Sequence, residues 1–220
     1  MNAKTLAAWL TAAAGAVREQ REALTRLDAA IGDGDHGVNL SRGLDAVAQT
    51  LAGDDAGQAD RTPGAVLITA GRTLVSATGG ASGPLWGSAM RRAGRTLGDA
   101  PTFDGAALLA ALDAAVAGIV DLGGAQPGDK TMLDAFVPAV QAFREALDAG
   151  QPVAEALSAA ALAAEAGAQA TIPLQARKGR ASYLGERSIG HQDPGATSTA
   201  LMLRALAQVV AGETSTTGAG

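Results

Sequence analysis

The chain has 220 residues, of which 47 % are hydrophobic and 18 % charged, a balance that excludes a disordered, self-repelling polymer. Aromatics are only 3 % while alanine makes up about a quarter of the residues, which disfavours a sandwich, a strand barrel or a Rossmann sheet and favours closely packed helices. A net charge of −5 and the absence of cysteine argue against a general nucleic-acid binder and exclude disulfides, thiolate zinc and a thiol nucleophile.

Period and punctuation predict eight helices. The first runs from Lys4 to Leu27, with Leu6, Leu10, Ala13 and Val17 on one stripe, and the second from Gly37 to Leu51. A cap at Thr62 followed by Pro63 opens the third, which ends near Thr78-Gly79-Gly80. The fourth spans Gly83–Leu97, and the fifth runs from its cap Asp104 to Leu122. The sixth covers Thr131–Ala149 and stops at Gly150; the seventh covers Val153–Ala170 and the eighth Gly195–Ala211. Residues 54–61 read as a loop, 171–194 as a long segment with little helical period, and 213–220 as a flexible tail on a single domain of residues 1–212. No stretch approaches the length of a charge-free membrane span, and the N-terminus lacks a signal-peptide pattern. The expectation is a cytoplasmic protein without membrane or nucleic-acid partners.

Twenty-nine glycines are too many for a plain helical bundle. They gather in four stretches, Gly32–Gly37, Gly79–Gly87, Gly123–Gly128 and Gly179–Gly195, each lying between two predicted helices. Short connections make successive helices antiparallel, so alternate connections fall at the same end. The four Gly-rich loops follow helices one, three, five and seven, and therefore meet at one end, where a site is expected.

The first loop brings Asp28, Asp33 and Asp35 together. Three neighbouring carboxylates repel one another unless a cation lies among them, and hard oxygen ligands suit Mg²⁺ or Ca²⁺; an acidic turn with aspartate caps is the other reading. The G-x-G-x-x-G spacing of Gly32–Gly37 follows a helical pattern instead of a strand, so it is not a dinucleotide loop. An EF-hand is excluded because Val38 and Leu44 stand at its sixth and twelfth positions. Magnesium on a few carboxylates keeps open positions for phosphate, and the helix beginning at Gly37 offers amide N–H groups and a positive dipole end. His36 and Asn39 add donors there, and Ser82 adds a hydroxyl in the second loop. Gly123–Thr131 narrowly misses a phosphate-binding P-loop, because Asp129 precedes Lys130 and no strand comes before; Lys130 is either a cation near phosphate or a solvated lysine. The fourth stretch concentrates Arg177, Lys178, Arg180 and Arg187 in an acidic protein, as a solvated loop or as cations for phosphoryl transfer.

The runs Leu27–Gly43, Gly80–Gly87, Gly128–Ala135 and Gly179–Ala196 resemble, in order and across essentially the whole chain, the L subunit of dihydroxyacetone kinases. The resemblance implies an all-α fold, an eight-helix antiparallel up-and-down α-barrel with the nucleotide site at one end. It implies that Asp28, Asp33 and Asp35 hold two Mg²⁺ on the phosphates of ADP or ATP. It places His36, Gly37, Val38, Asn39, Ala81, Ser82, Gly123, Met132, Arg180, Asp193, Pro194 and Gly195 at the nucleotide, with Arg180 also as the catalytic cation and Met132 as an apolar wall for adenine. One branch of the family keeps ADP bound on a separate L subunit. There a phosphohistidine on the M subunit regenerates ATP from phosphoenolpyruvate through the phosphotransferase relay, and the phosphoryl passes to dihydroxyacetone held on a histidine of the K subunit. The other branch joins K-like and L-like domains and uses free ATP. With no K domain in the sequence, the resemblance favours the separate-subunit branch, as a homodimer. An ATP-dependent kinase subunit for another small ketose, or a nucleotide-dependent regulatory partner, is the alternative.

Overall fold

The first helix is two helices. A computed structural model describes residues 1–53 and 61–217, and in it α1 (Ala3–Glu19) and α2 (Arg21–Ile31) are separated at Gln20, whose ψ of 8° leaves the helical range. The break falls in the polar run Arg18–Glu22, where no apolar side chain ties the helix to a neighbour. On one side α1 buries Leu6, Trp9, Leu10, Ala13, Ala14 and Val17; on the other α2 buries Leu24, Asp28 and Ile31.

The remaining helices are α3 (His36–Ala52), α4 (Pro63–Ala77), α5 (Ser82–Leu97), α6 (Gly105–Gly123), α7 (Leu133–Asp148), α8 (Val153–Ala170) and α9 (Pro194–Thr217). Among the described residues there is no named strand; the only ladder-like contact is an isolated bridge between Asn2 and Thr102. Helix starts follow their caps: Asn2 and Thr5 form a capping box, Thr62 accepts from Ala65 N–H and Asp104 from Ala107 N–H. Helix α7 begins at Leu133, two residues later than the expected start at Thr131, with Met132 in the N-cap position. Asp134, in its first turn, accepts the N–H groups of Gly128 (2.5 Å) and Thr131 (2.7 Å), folding the preceding residues back as a turn. A 3-10 helix, Arg180–Ser188, occupies the middle of the long segment expected to lack helical period, with a break at Gly185 (φ 59°). The last helix continues through Thr217, past the expected end at Ala211, so part of the expected tail 213–220 is helical. Residues 218–220, and 54–60 of the expected loop 54–61, lie outside the described residues.

In chain order α1, α3, α4, α5, α6, α7, α8 and α9 each pack on the next, and α9 returns to α1, closing an all-α ring; α2 covers one end beside α3 and α9. Trp9 Nε1 donates to Met202 O (2.9 Å) across the closure. Alanine makes this density possible: Ala111, Ala115, Ala156, Ala160, Ala164 and Ala200 are all buried in one continuous core. Glycine contributes as well. On α4 and α5 the pairs Gly64–Gly94 and Gly71–Gly87 bring backbone against backbone. A Cβ on Gly94 would lie 2.6 Å from Gly64 O, and one on Gly71 would lie 2.8 Å from Gly87 O. Helix α6 is long and apolar enough, by length and composition alone, to cross a membrane. It is nevertheless a wall of the ring between α5 and α7, and its Asp113 and Asp121 pair with Arg144 (2.7 Å) and Arg92 (2.8 Å).

Candidate functional site at one end of the ring

The four Gly-rich loops meet as the parity of the connections requires. Residues from the α2–α3, α4–α5, α6–α7 and α8–α9 connections line one cavity of about 840 Å³. Its floor and one wall are apolar (Leu85, Trp86, Ile119, Ala125 and Met132), and its mouth is ringed by charged groups.

Asp28, in the last turn of α2, is buried, while Asp33 and Asp35 on the following loop are exposed. Each offers a carboxylate oxygen within 4.8 Å of the others. Asp28 Oδ2 accepts the backbone N–H of Asp35 (2.8 Å) and of His36 (3.0 Å), which fixes the loop against the start of α3. Gly34 takes φ 74° to make the turn, a conformation glycine adopts without penalty. Arg180 Nε donates to Asp33 Oδ2 at 2.7 Å, bringing the first and fourth loops together over the mouth. Three hard oxygen donors around one point fit Mg²⁺ or Ca²⁺ better than a softer ion.

His36 stands behind this cluster. Its Nε2 lies 2.9 Å from Ser198 Oγ and its Nδ1 3.2 Å from Ser82 Oγ. Ser198 Oγ in turn donates to Gly195 O (3.0 Å), so its lone pair is left for an Nε2–H donor. The pattern assigns the neutral Nε2–H tautomer, with Nδ1 accepting from the Ser82 hydroxyl. Burial lowers the His36 pKa, against the opposing pull of Asp28 and Asp35.

Lys130 lines the cavity but is not solvated, and its ammonium is engaged by backbone carbonyls. Its side chain is 1 % exposed, and its ammonium donates to the carbonyls of Thr171 (2.8 Å), Leu174 (3.0 Å) and His191 (2.5 Å). Burial lowers its pKa, while Asp193 and Asp134 oppose the shift. Asp193 caps α9 through Ala196 N–H (2.7 Å). Burial raises its pKa to about 7; Asp134 and Asp28 push the same way, and the Ala196 N–H and Lys130 push back. Arg177, Lys178 and Arg180 are exposed at the mouth, whereas Arg187 is exposed away from the cavity wall.

Of the residues expected at the site, Asp28, Asp33, Asp35, His36, Ala81, Ser82, Gly123, Met132, Arg180, Asp193, Pro194 and Gly195 line this one cavity. Gly37, Val38 and Asn39 do not. A side chain on Gly37 would collide with Arg21 O of α2. Val38 is 46 % exposed on a separate depression beside Arg21 and Arg42, and Asn39 lies buried beneath Gly79, accepting from Arg42 (2.9 Å). They are the first turn of α3, so they can act on the cavity through backbone and dipole only. Sequence reasoning missed Ser198, Trp86 and Ile119. The signal for Ser198 is its place one helical turn beyond Gly195; Trp86 and Ile119 carry no signal that separates them from core.

A family model described as the DAK2 domain matches residues 30–208. The chain is 45 % identical, over 90 % of its length and 93 % of the relative's, to the ADP-binding subunit of the PEP-dependent dihydroxyacetone kinase of Escherichia coli (strain K12). It is 44 % identical to the L-erythrulose 1-kinase of Mycolicibacterium smegmatis over 84 % of this chain and 32 % of that enzyme. Among solved structures it resembles the dihydroxyacetone kinase of C. freundii in complex with AMP-PNP and Mg²⁺, with a TM-score of 0.70 and 27 % identity over 92 % of this chain. The chain spans about a third (33 %) of that solved kinase.

Proposed function

The chain belongs to the DAK2-domain family, and on that premise we propose that it is the nucleotide-carrying subunit of a dihydroxyacetone kinase. The observation that carries the reading is the juxtaposition at one mouth: three carboxylates, the Arg180 guanidinium and the positive end of α3 above a deep apolar wall. That combination suits a magnesium nucleotide, with phosphates at the charged rim and a flat base against Met132 and Trp86.

In this reading Asp28, Asp33 and Asp35 hold magnesium, one ion or two, which neutralises phosphate charge when bound. Arg180 supplies the cation that balances charge on the phosphoryl group in transfer. Ser82 and His36 orient the phosphates through the hydrogen-bond chain to Ser198. Asp193 to Gly195 open α9 beneath the nucleotide, and the small residues Ala81 and Gly123 let the backbone approach it. The acceptor ketose is held by a K subunit, and the ADP is rephosphorylated by an M subunit at the expense of phosphoenolpyruvate. Support for this branch is the match along 93 % of the Escherichia coli ADP-binding subunit. A second reading, free ATP as donor and a four-carbon ketose as acceptor, rests on the similar identity to the L-erythrulose 1-kinase.

Native mass spectrometry of the purified protein tests the proposal: retained ADP and magnesium are expected, and a clean apo mass with fast exchange of added ATP overturns permanent carriage. Reconstitution with K, comparing phosphoenolpyruvate relay components with free ATP, and dihydroxyacetone with erythrulose, then separates the two readings.

A further inference from the structure

The segment between α8 and α9 presents Arg180 at the mouth and ends at Asp193, yet it is anchored from elsewhere. Lys130 belongs to the α6–α7 connection. Its ammonium collects the carbonyls of Thr171, Leu174 and His191, with Ile172 O at 3.4 Å. These acceptors come from both ends of the segment, so one side chain ties its start to its finish. A second link runs the same way, from Arg177 N–H to Asp129 O (3.0 Å). The base is closed further by Gly190 N–H to Ile172 O (2.8 Å) and by Asp193 N–H to Thr171 Oγ1 (2.9 Å).

Lys130 bears two local costs. It is a non-glycine residue at φ 62°, and it buries an ammonium whose direct partners are carbonyls, with no carboxylate in contact among the described residues. A residue kept under both costs beside a ligand cavity points to a role there. We propose that Lys130 is a positioning residue, whose ammonium holds the Arg180- and Asp193-bearing segment in place over the nucleotide site, while the acid cluster is fixed separately by the hydrogen bonds of Asp28 to the start of α3. This rests on the nucleotide-binding reading given above. Deleting one charged donor bonded to several backbone carbonyls is worth about a tenfold to hundredfold change in the population of the closed segment.

The test uses the full chain and Lys130→Met, which keeps length and removes the donors. Lys130→Gln, which removes the charge but keeps one amide donor within reach of the same carbonyls, carries the test should the first variant fail to fold. The readouts are the rate of native-state trypsin cleavage after Arg177, Lys178, Arg180 and Arg187, the ADP affinity by calorimetry, and the Mn²⁺ affinity without nucleotide by electron paramagnetic resonance. Expected are cleavage faster by about tenfold or more, ADP binding weaker by about the same factor, and Mn²⁺ affinity not weakened, since release of Arg180 leaves Asp33 free of a competing cation. Unchanged cleavage, or Mn²⁺ and ADP affinities falling together, overturns the proposal, because general destabilisation would not spare the acid cluster. If the wild-type chain binds no ADP at all, the nucleotide reading fails, and the cleavage rates alone still decide whether Lys130 holds the segment.

Discussion

Asp28 and His36 are joined through the backbone: His36 N–H donates to Asp28 Oδ2 at 3.0 Å, and Asp35 N–H donates to the same oxygen at 2.8 Å. One carboxylate thus serves both the start of α3 and the acid cluster, and substitutions separate these duties. Asp28→Ala takes a charged acceptor from two part-buried N–H groups and loses about 1–3 kcal/mol of stability. Asp28→Asn keeps an acceptor oxygen and stays within about 1 kcal/mol of wild type. Both lose divalent-ion affinity, whereas Asp33→Asn loses it with little change in stability. Urea unfolding in chelator together with Mn²⁺ titration reads both quantities, and wild-type metal affinity in Asp28→Asn would remove Asp28 from the metal assignment.

Arg180 spans the mouth to Asp33 from an exposed position, so its pair contributes only about 0–1 kcal/mol to folding. Its expected value lies in transfer chemistry, where removing one preorganised cationic donor costs about a hundredfold to a thousandfold in rate. Arg180→Gln therefore melts like wild type but transfers at least about a hundredfold more slowly in the reconstituted system. Arg180→Lys recovers only part of the rate, because the ammonium lacks the planar fork. A full rate in Arg180→Gln assigns the cation elsewhere.

The placement of the site was legible because it follows from counting connections: loops after alternate helices share an end whatever the packing details. The acid cluster was legible because its members are close in sequence. Lys130 was not, since its acceptors, Thr171 to His191, lie in a segment with no readable period. Trp86 and Ile119 were hidden because a cavity wall and a core face have the same helical spacing. The break at Gln20 was masked by charges that read equally well as the solvated face of one long helix. Glycine has two uses here, only one of which its clustering reveals. The loops account for Gly34, Gly80 and Gly128, all at positive φ, but Gly64, Gly71, Gly87 and Gly94 are helical and serve close packing.

That second use of glycine predicts opposite signs for one substitution. Gly→Ala in a helix interior gains about 1 kcal/mol of propensity where there is room. Gly15, on α1, has nothing within 4 Å of a new Cβ, so Gly15→Ala raises stability by about 0.5–1 kcal/mol. At Gly71 the Cβ would sit 2.8 Å from Gly87 O and 3.1 Å from Arg91 N, both backbone atoms that cannot swing aside. Gly71→Ala forces α4 and α5 apart and loses about 1–3 kcal/mol despite the gain in propensity. Paired thermal melts check this; a stabilised Gly71→Ala would mean the helices are not held at that distance.

Asp193 gives the fold a pH dependence of unusual sign. Its pKa is about 7 in the folded chain, mainly because it is buried, against an ordinary value of 3.8. Between those values the folded state holds a proton that the unfolded state has released, so stability falls as pH rises across that window and the full penalty is present above about pH 7. This is the reverse of a salt-bridged aspartate, whose contribution is lost toward acid. Asp193→Asn keeps an oxygen for Ala196 N–H and abolishes the titration. The variant should therefore be more stable than wild type at pH 8, and the difference should shrink steadily toward pH 5. Urea midpoints of the two proteins, measured without nucleotide or metal, give that difference directly, and a gap that is constant or widens toward acid would show that Asp193 is ionised in the folded chain throughout.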